Sequence, residues 1–258
     1  MSDGQKDHMI KSLSKGIRQD GRKLEDFREV SVEYGASKSA EGSARVKIGD
    51  TEVIAGVKME MGEPFPDTPD KGALMVGAEF LPMASPEFEL GPPGIDAIEI
   101  ARVADRGIRE SGAIDLSKLC IKEGEKCWMV VIDVCTINDA GNLQDTTALA
   151  ALAAIKDTKL PKLEDDGKVN YKEKTDQGLP INCLPIAVTV VKIGDSFMVD
   201  PIIKESEFLD ARLTVTTLDD GTICAMQKGG VSPLTVDDID KMVGIAAEKA
   251  SMLRKSLG

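Results

Sequence analysis

The sequence has few of the residues on which many enzyme classes depend. Aromatic residues make up only 3% of the 258 positions, and His8 is the single histidine. One histidine in a polar segment is a poor general base. No glycine pattern of a nucleotide-binding loop and no metal-ligand spacing is present, so the sequence gives no support to a small-molecule enzyme of those types. The hydrophobic core must be built from Val, Ile, Leu, Ala and Met.

Cysteine usage excludes a disulfide framework. The five cysteines are odd in number and form no CxxC pair; they stand at positions 120, 127, 135, 183 and 224. Such spacing predicts neither disulfides nor a zinc site. We expect reduced, mostly buried thiols, and neither a metal ion nor a cofactor.

Basic residues are outnumbered, since 32 Lys and Arg stand against 44 Asp and Glu, giving a net charge of -12. A general nucleic-acid-binding surface needs clustered cations to neutralise phosphates, so any nucleic-acid contact must be a small patch or depend on a basic partner. Residues 1–14 are polar, unlike a signal peptide, and no apolar run approaches the roughly 20 residues that cross a bilayer. We therefore expect a cytoplasmic protein without a membrane segment.

Hydrophobic periodicity divides the chain into two halves of similar plan. The predicted strands are 29–34, 42–48, 52–58, 77–83, 126–137, 184–193, 196–199, 211–218 and 222–227, of which 126–137 is expected to be buried on both faces. The predicted helices are 95–111, 146–156 and 235–257. This order indicates an α+β protein with two pseudo-repeated βα lobes. We expect an N-terminal extension over 1–24, a first lobe over 25–181 and a second lobe over 182–258.

Several short motifs follow one another in an informative order. GIRQDGR occupies 16–22, Arg28 follows, EGSA and GDT frame the hairpin of 41–51, and NDAG ends at Gly141. Their order and spacing resemble the ribonuclease PH family, from residue 16 to the C-terminus. The helix EIARVADRGIRES at 99–111 and VDP at 199–201 are most similar to the non-catalytic ring subunit of the archaeal RNA exosome. The resemblance implies a ribonuclease PH-like fold.

The resemblance also locates a phosphate-binding loop, because active family members place Gly-Thr-Arg where this chain has Gly141, Asn142 and Leu143. Leucine neither donates a hydrogen bond nor carries charge. Losing the arginine removes about 1.5–3 kcal/mol of anion binding per charged hydrogen bond. We expect a degenerate phosphate loop in which Asn142 only caps a helix.

Carboxylates of active members position the leaving group, act as an acid or hold Mg²⁺. The matching positions here are Asp200, Ile202, Ser206 and Arg212. Only one of the four is acidic, so the resemblance implies a degenerate carboxylate site with no catalytic residue and no metal. The other acidic residues nearby are out of register, and we expect them to form a solvated loop.

Arg102, Arg106 and Arg109 are spaced four and three residues apart, so they share one face of the predicted helix. One interpretation is an exposed face whose arginines pair with acidic neighbours. The resemblance implies another, in which they contact RNA phosphates through their forked donors. We predict RNA contact, most strongly at Arg106 and Arg109.

Taken with the resemblance, these features predict a non-catalytic subunit that pairs with a catalytic ribonuclease PH-like paralogue. Heterodimers would form a hexameric ring that carries RNA-binding cap subunits and degrades single-stranded RNA from 3′ to 5′ by phosphorolysis. Two alternatives stay open at this point: a self-sufficient phosphorolytic exoribonuclease, and a structural scaffold that never contacts RNA. The Pro-rich segment 59–94 is expected to line an interface or a pore.

Overall fold

Two large β-sheets with helices between and beside them, and a separate two-stranded sheet, form the fold. The computed structural model describes residues 3–164 and 169–258. The strands are β1 (Val30–Tyr34), β2 (Gly42–Ile48), β3 (Thr51–Gly62), β4 (Ala73–Phe80), β5 (Cys120–Lys122), β6 (Lys126–Asn138), β7 (Lys159–Leu163), β8 (Val169–Gly178), β9 (Ile186–Ile193), β10 (Ser196–Val199), β11 (Ala211–Thr217) and β12 (Ile223–Gly229). The helices are α1 (Asp3–Leu13), α2 (Ile95–Glu110), α3 (Leu143–Asp157), α4 (Ile203–Ser206) and α5 (Val236–Lys255).

The first sheet has the strand order β1-β2-β3-β6-β4, with β5 paired to β6. Only β4 runs parallel to its neighbour; the other pairings are antiparallel. The second sheet, β10-β9-β11-β12, is entirely antiparallel. Each sheet has a tight Gly-Asp turn, and Gly49 and Gly194 both adopt φ +58°. Glycine enters this left-handed region without steric cost, which explains the short connections.

Two helices link the sheets. The Ala-rich α3 contacts β2 and β3 of the first sheet and β9 of the second, whereas α2 contacts β4 and β12. Because α3 offers mostly small side chains, both sheets approach it closely. A single hydrophobic cluster therefore runs through both halves, from Val46 and Val130 to Val190 and Leu253.

Most predicted elements are found, with some shifted bounds. Helix 95–111 is α2, and the Thr235–Asp238 capping box of α5 is formed by two reciprocal hydrogen bonds. The strand predicted at 77–83 lies earlier, and α3 begins at Leu143 rather than at 146. The charged segment near 160–174 forms the β7–β8 hairpin, whose tip lies outside the described residues.

Two expectations about burial are wrong. Strand β6 is fully buried on one face only; on the other face alternate residues are half-buried and Asp133 is exposed, because no helix fully covers that side of the sheet. Of the five cysteines, all free, Cys127 is buried and the other four are half-buried.

No helix within 3–164 and 169–258 combines the length and the apolar character that a membrane crossing requires. The division into 1–24, 25–181 and 182–258 stays a prediction.

Candidate functional site

A cavity of about 530 Å³ opens between segments of the two halves of the chain. The predicted phosphate loop lines it with all three residues, Gly141 to Leu143, and so do Ser206 and Arg212. The fold therefore brings together two motifs that lie some sixty residues apart in the sequence. Its acidic lining residues are Glu87, Asp96, Glu99, Asp139 and Glu207, and Phe80 and Phe88 stack beside them with ring centroids 4.5 Å apart. Part of the Pro-rich segment thus forms the cavity wall.

The loop at Gly141 is held in place by hydrogen bonds to other residues of the chain. The Gly141 amide donates to Asp139 Oδ1 at 2.9 Å, and the Gly141 carbonyl accepts from Thr51 Oγ1 and from Arg28 Nη2. Gly141 has φ +96°, and a Cβ at this position would overlap the carbonyl oxygen of Pro201. Burial raises the pKa of Asp139. The loop therefore packs against the backbone of Pro201 and Ile202, which follow β10. One of its amides already donates a hydrogen bond to a carboxylate.

Asn142 precedes α3 but does not cap it through its side chain. Its backbone is left-handed, at φ 59°, and its Nδ2 donates to Asp145 Oδ2 at 3.1 Å and to Asp200 Oδ1 at 3.0 Å. The expectation of a side-chain cap is therefore wrong, because the two buried carboxylates hold the amide instead. Its Oδ1 is buried and has no hydrogen-bond partner among the described residues.

Asp200 is a buried junction behind the cavity rather than part of its lining. Its carboxylate accepts from Arg22 Nη1 at 2.7 Å and from Arg28 Nε and Nη2 at 2.8 and 2.7 Å. Both arginines belong to the N-terminal motif region, so this carboxylate fastens that region to the rest of the chain. Ile202, the next position of the predicted carboxylate site, does not line the cavity.

A second buried ion pair, Arg18–Glu205, was not predicted from the sequence. Both side chains have 0% exposure, and the guanidinium donates from Nε and Nη2 to the two carboxylate oxygens at 3.0 and 2.6 Å. Arg18 also donates to the carbonyls of Val199 and Asp200. The expectation that the acidic residues here form a solvated loop is wrong for Glu205, which lies in the short helix α4. The sequence feature that could have indicated this ion pair is Arg18, the first arginine of the GIRQDGR motif.

Asp145 is the other residue that sequence reasoning missed. It lies in the first turn of α3 and is fully buried, accepting from the Thr189 amide at 2.8 Å and from Asn142. Burial raises the pKa of Asp145 to about 7, and the negative charge of Asp200 adds to this effect. No cation pairs with it among the described residues, unlike Asp200.

The three arginines of α2 are exposed but not equivalent. Arg109 forms an ion pair with Asp105 at 2.6 Å and donates to the Leu74 carbonyl, and the hydrogen bond to Asp105 raises the pKa of Arg109. Arg102 and Arg106 have no hydrogen bond or ion pair in the part of the chain that the structure describes.

Arg212 takes the fourth position of the predicted carboxylate site. Its Nη2 lies 2.6 Å from Glu99 Oε2 of α2, so a cation stands where the resemblance places an acid. In the described ranges, no group of three or more His, Cys, Asp or Glu side chains is arranged to hold a metal ion.

Comparisons with known proteins agree with this architecture. Residues 26–161 match the 3′ exoribonuclease family, domain 1, and residues 183–249 match domain 2 of the same family, RNase PH. The chain is 52% identical over 252 residues to the "Exosome complex component Rrp42" of Methanocella arvoryzae, covering 98% of this chain and 95% of that protein. The protein of the same name from Thermococcus kodakarensis is 44% identical over 255 residues, covering 98% and 93%.

Solved structures point the same way. The chain superimposes on a chain of the "archaeoglobus fulgidus exosome with RNA bound to the active site" with a TM-score of 0.92 and 45% identity, covering 99% of this chain and 98% of the other. An "Archaeal exosome core" gives a TM-score of 0.87 at 42% identity, covering 99% and 96%. With both family domains matched in chain order, the chain belongs to the RNase PH 3′ exoribonuclease family.

Proposed function

We propose that this chain is a non-catalytic subunit of an exosome ring, which helps to bind RNA while a partner subunit degrades it. The observation that carries the proposal is the loop at Gly141. Phosphorolysis uses inorganic phosphate as the nucleophile, and a loop opening a helix holds an anion through free backbone amides. Here the Gly141 amide already donates to Asp139, whose carboxylate is close to where an anion would need to sit.

The charges of the cavity support the same conclusion. Five carboxylates line it, whereas the guanidinium of Arg212 is already paired with Glu99. A phosphate dianion would meet net repulsion there, which is stronger in a partly desolvated cavity than in water. Leu143 supplies no compensating donor. This chain is therefore not expected to bind the nucleophile of the reaction.

Helix α2 supplies the RNA-facing part of the proposal. Arg102 and Arg106 are exposed and unpaired within residues 3–164 and 169–258, so contact with a phosphate would not require breaking an existing ion pair. Arg109 is held by Asp105 and by the Leu74 carbonyl. The geometry thus favours Arg102 and Arg106 for RNA contact over the Arg106 and Arg109 pair expected from the sequence, with Arg109 available after exchange of its partner.

The relatives support the proposed partners. A protein 52% identical to this chain is named an exosome component, and a 45% identical chain lies in an exosome with RNA bound to the active site. We propose that this chain pairs with a catalytic ribonuclease PH-like subunit, that the heterodimers form a hexameric ring, and that RNA-binding cap subunits deliver single-stranded RNA. Its own net charge of -12 fits a dependence on partners for most of the positive surface.

The test is phosphate-dependent release of nucleoside diphosphates from poly(A). The chain alone should release none, whereas the chain mixed with the catalytic paralogue from the same organism should exceed the paralogue alone. The matched control is each mixture without phosphate, which should release no nucleoside diphosphates. Robust release by the chain alone would contradict the proposal and favour the self-sufficient exoribonuclease.

A second experiment separates RNA contact from a purely structural role. The double variant Arg102→Ala and Arg106→Ala should weaken binding of labelled poly(A) by the assembled ring, because two phosphate contacts are lost. Lys159→Ala and Lys162→Ala remove the same charge at two exposed positions of β7 and should have little effect. Equal affinities for the two double variants would favour the scaffold.

A further inference from the structure

The charges along α2 are paired unevenly. Asp105 neutralises Arg109 one turn further along the helix. Glu99 instead pairs across the cavity with Arg212 of β11 at 2.6 Å. Among the described residues this leaves Arg102 and Arg106 as the unpaired cations of the helix. The availability of these two arginines therefore depends on where the carboxylates of the helix are held.

Glu99 would have another partner if Arg212 were absent. It lies three residues before Arg102, and side chains three apart on a helix are close enough to form an ion pair. The side chains of Glu99 and Arg212 are 25% and 21% exposed, so their pair is partly shielded from water. A partly shielded pair is screened less by salt than an exposed pair within the helix, so Arg212 is the stronger competitor for Glu99.

Gly229 provides independent evidence that a place is made for this guanidinium. Arg212 and Gly229 are direct cross-strand partners between β11 and β12. A Cβ at Gly229 would lie 2.5 Å from Arg212 Cζ and 2.7 Å from Nε. Any side chain at position 229 would therefore displace the guanidinium. The absence of one leaves room beside Gly229 for the Arg212 guanidinium, which reaches Glu99.

We propose that Arg212 is a positioning residue for RNA binding: it sequesters the Glu99 carboxylate and so keeps Arg102 free for an RNA phosphate. This inference rests on the proposed function, because it needs RNA contact by α2. In this arrangement Arg212 does not itself contact the RNA. Its charge acts through Glu99, and its loss lets Glu99 turn to Arg102 and adds an uncompensated negative charge beside the phosphate path.

Fluorescence anisotropy of labelled poly(A) on the assembled ring tests the proposal, with phosphate omitted so that the RNA is not degraded. Arg212→Gln should weaken binding about two- to fivefold at low ionic strength, as expected from the partial loss of one phosphate contact. Gly229→Ala should weaken it similarly, because its Cβ displaces the guanidinium. Adding Glu99→Gln to Arg212→Gln should restore most of the affinity, since no carboxylate is then released.

The control is Lys192→Gln, which breaks the partly buried ion pair with Asp238 between β9 and α5 at a residue that does not line the cavity. It should leave RNA affinity unchanged. Rescue of Arg212→Gln by Glu99→Gln supports the proposal when Glu99→Gln alone leaves RNA affinity unchanged, because an additive effect of charge would raise affinity in both backgrounds. An equal gain from Glu99→Gln in the natural chain overturns it. An unchanged affinity of Arg212→Gln, or a loss that Glu99→Gln does not restore, overturns it.

The same assay keeps the two proposals distinguishable. If Arg102→Ala with Arg106→Ala leaves RNA binding unchanged, the proposed RNA contact of α2 fails, and the inference about Arg212 fails with it. If that double variant weakens binding but Arg212→Gln does not, only the inference about Arg212 is overturned.

Discussion

The buried Arg18–Glu205 pair offers the sharpest test of how the N-terminal motif is anchored. Glu205→Gln keeps the size of the side chain but removes the charge that balances Arg18. Both side chains are fully buried, and Glu205 accepts two hydrogen bonds from the guanidinium and a third from the Ile202 amide. The variant leaves a buried cation whose other partners are backbone carbonyls, closest those of Val199 and Asp200, and the Asp20 carboxylate at 4.0 Å.

The expected magnitude follows from these contacts. Removing one partner of a buried ion pair costs about 3–5 kcal/mol, because the remaining charge is desolvated without compensation. Glutamine can still accept one of the bonds from Arg18, so we expect about 3 kcal/mol. For a chain of this size, each kcal/mol lowers the melting temperature by roughly 2–4 °C, which gives a decrease of about 6–12 °C.

The measurement is thermal unfolding followed by circular dichroism at pH 7, with urea unfolding as a second probe. The matched control is Glu173→Gln, which breaks an exposed pair with Lys162 whose side chains are 58% and 49% exposed. An exposed pair contributes about 0–1 kcal/mol, so the control should barely shift the transition. A decrease for Glu205→Gln no larger than that of the control would refute the reasoning, since it would mean that backbone carbonyls alone satisfy Arg18.

Two further predictions concern the same region. Asp145 has a folded pKa of about 7 against an ordinary value of 3.8. Between those values the unfolded chain loses the proton that the folded chain keeps, so the carboxyl's contribution to stability is present below pH 4 and falls as pH rises to 7. Urea midpoints at pH 5 and 8 should therefore differ less for Asp145→Asn than for the natural chain; an identical difference in both would contradict the pKa assignment. Gly141→Ala should lower the free energy of unfolding by about 2 kcal/mol more than Gly221→Ala: both glycines have positive φ, but a Cβ at 221 meets nothing within 4 Å. Equal losses in urea unfolding would show that Pro201 does not crowd Gly141.

Local sequence signals predicted the secondary structure well where they were strong. The alternation of apolar and polar residues in β2 and the Gly-Asp turn after it fixed that hairpin, and the periodicity of α2 fixed the helix within one residue. The bounds of α3 were less clear, because an Ala-rich helix packed between two sheets has little periodicity to reveal its start.

The residue types at the candidate site could be read from the sequence, but which of these residues contact one another could not. The absence of Arg at Leu143 and of Asp at Arg212 is visible in the sequence once the family resemblance is drawn. The pairing of Arg212 with Glu99 is not, because the two residues are 113 positions apart and only the packing of α2 against the second sheet joins them.

By itself the sequence determined the elements and the charge balance, since each depends on residue type and local spacing. The loss of a phosphate-binding arginine at Leu143 stays a prediction from the family resemblance. Only the tertiary structure decided which charges meet. Asp200 and Glu205 read as members of an acidic stretch, yet folding buries both against Arg18, Arg22 and Arg28. The physical reason is desolvation: a buried carboxylate is tolerated only where the fold brings cations to it, and that requires segments some 180 residues apart to pack together.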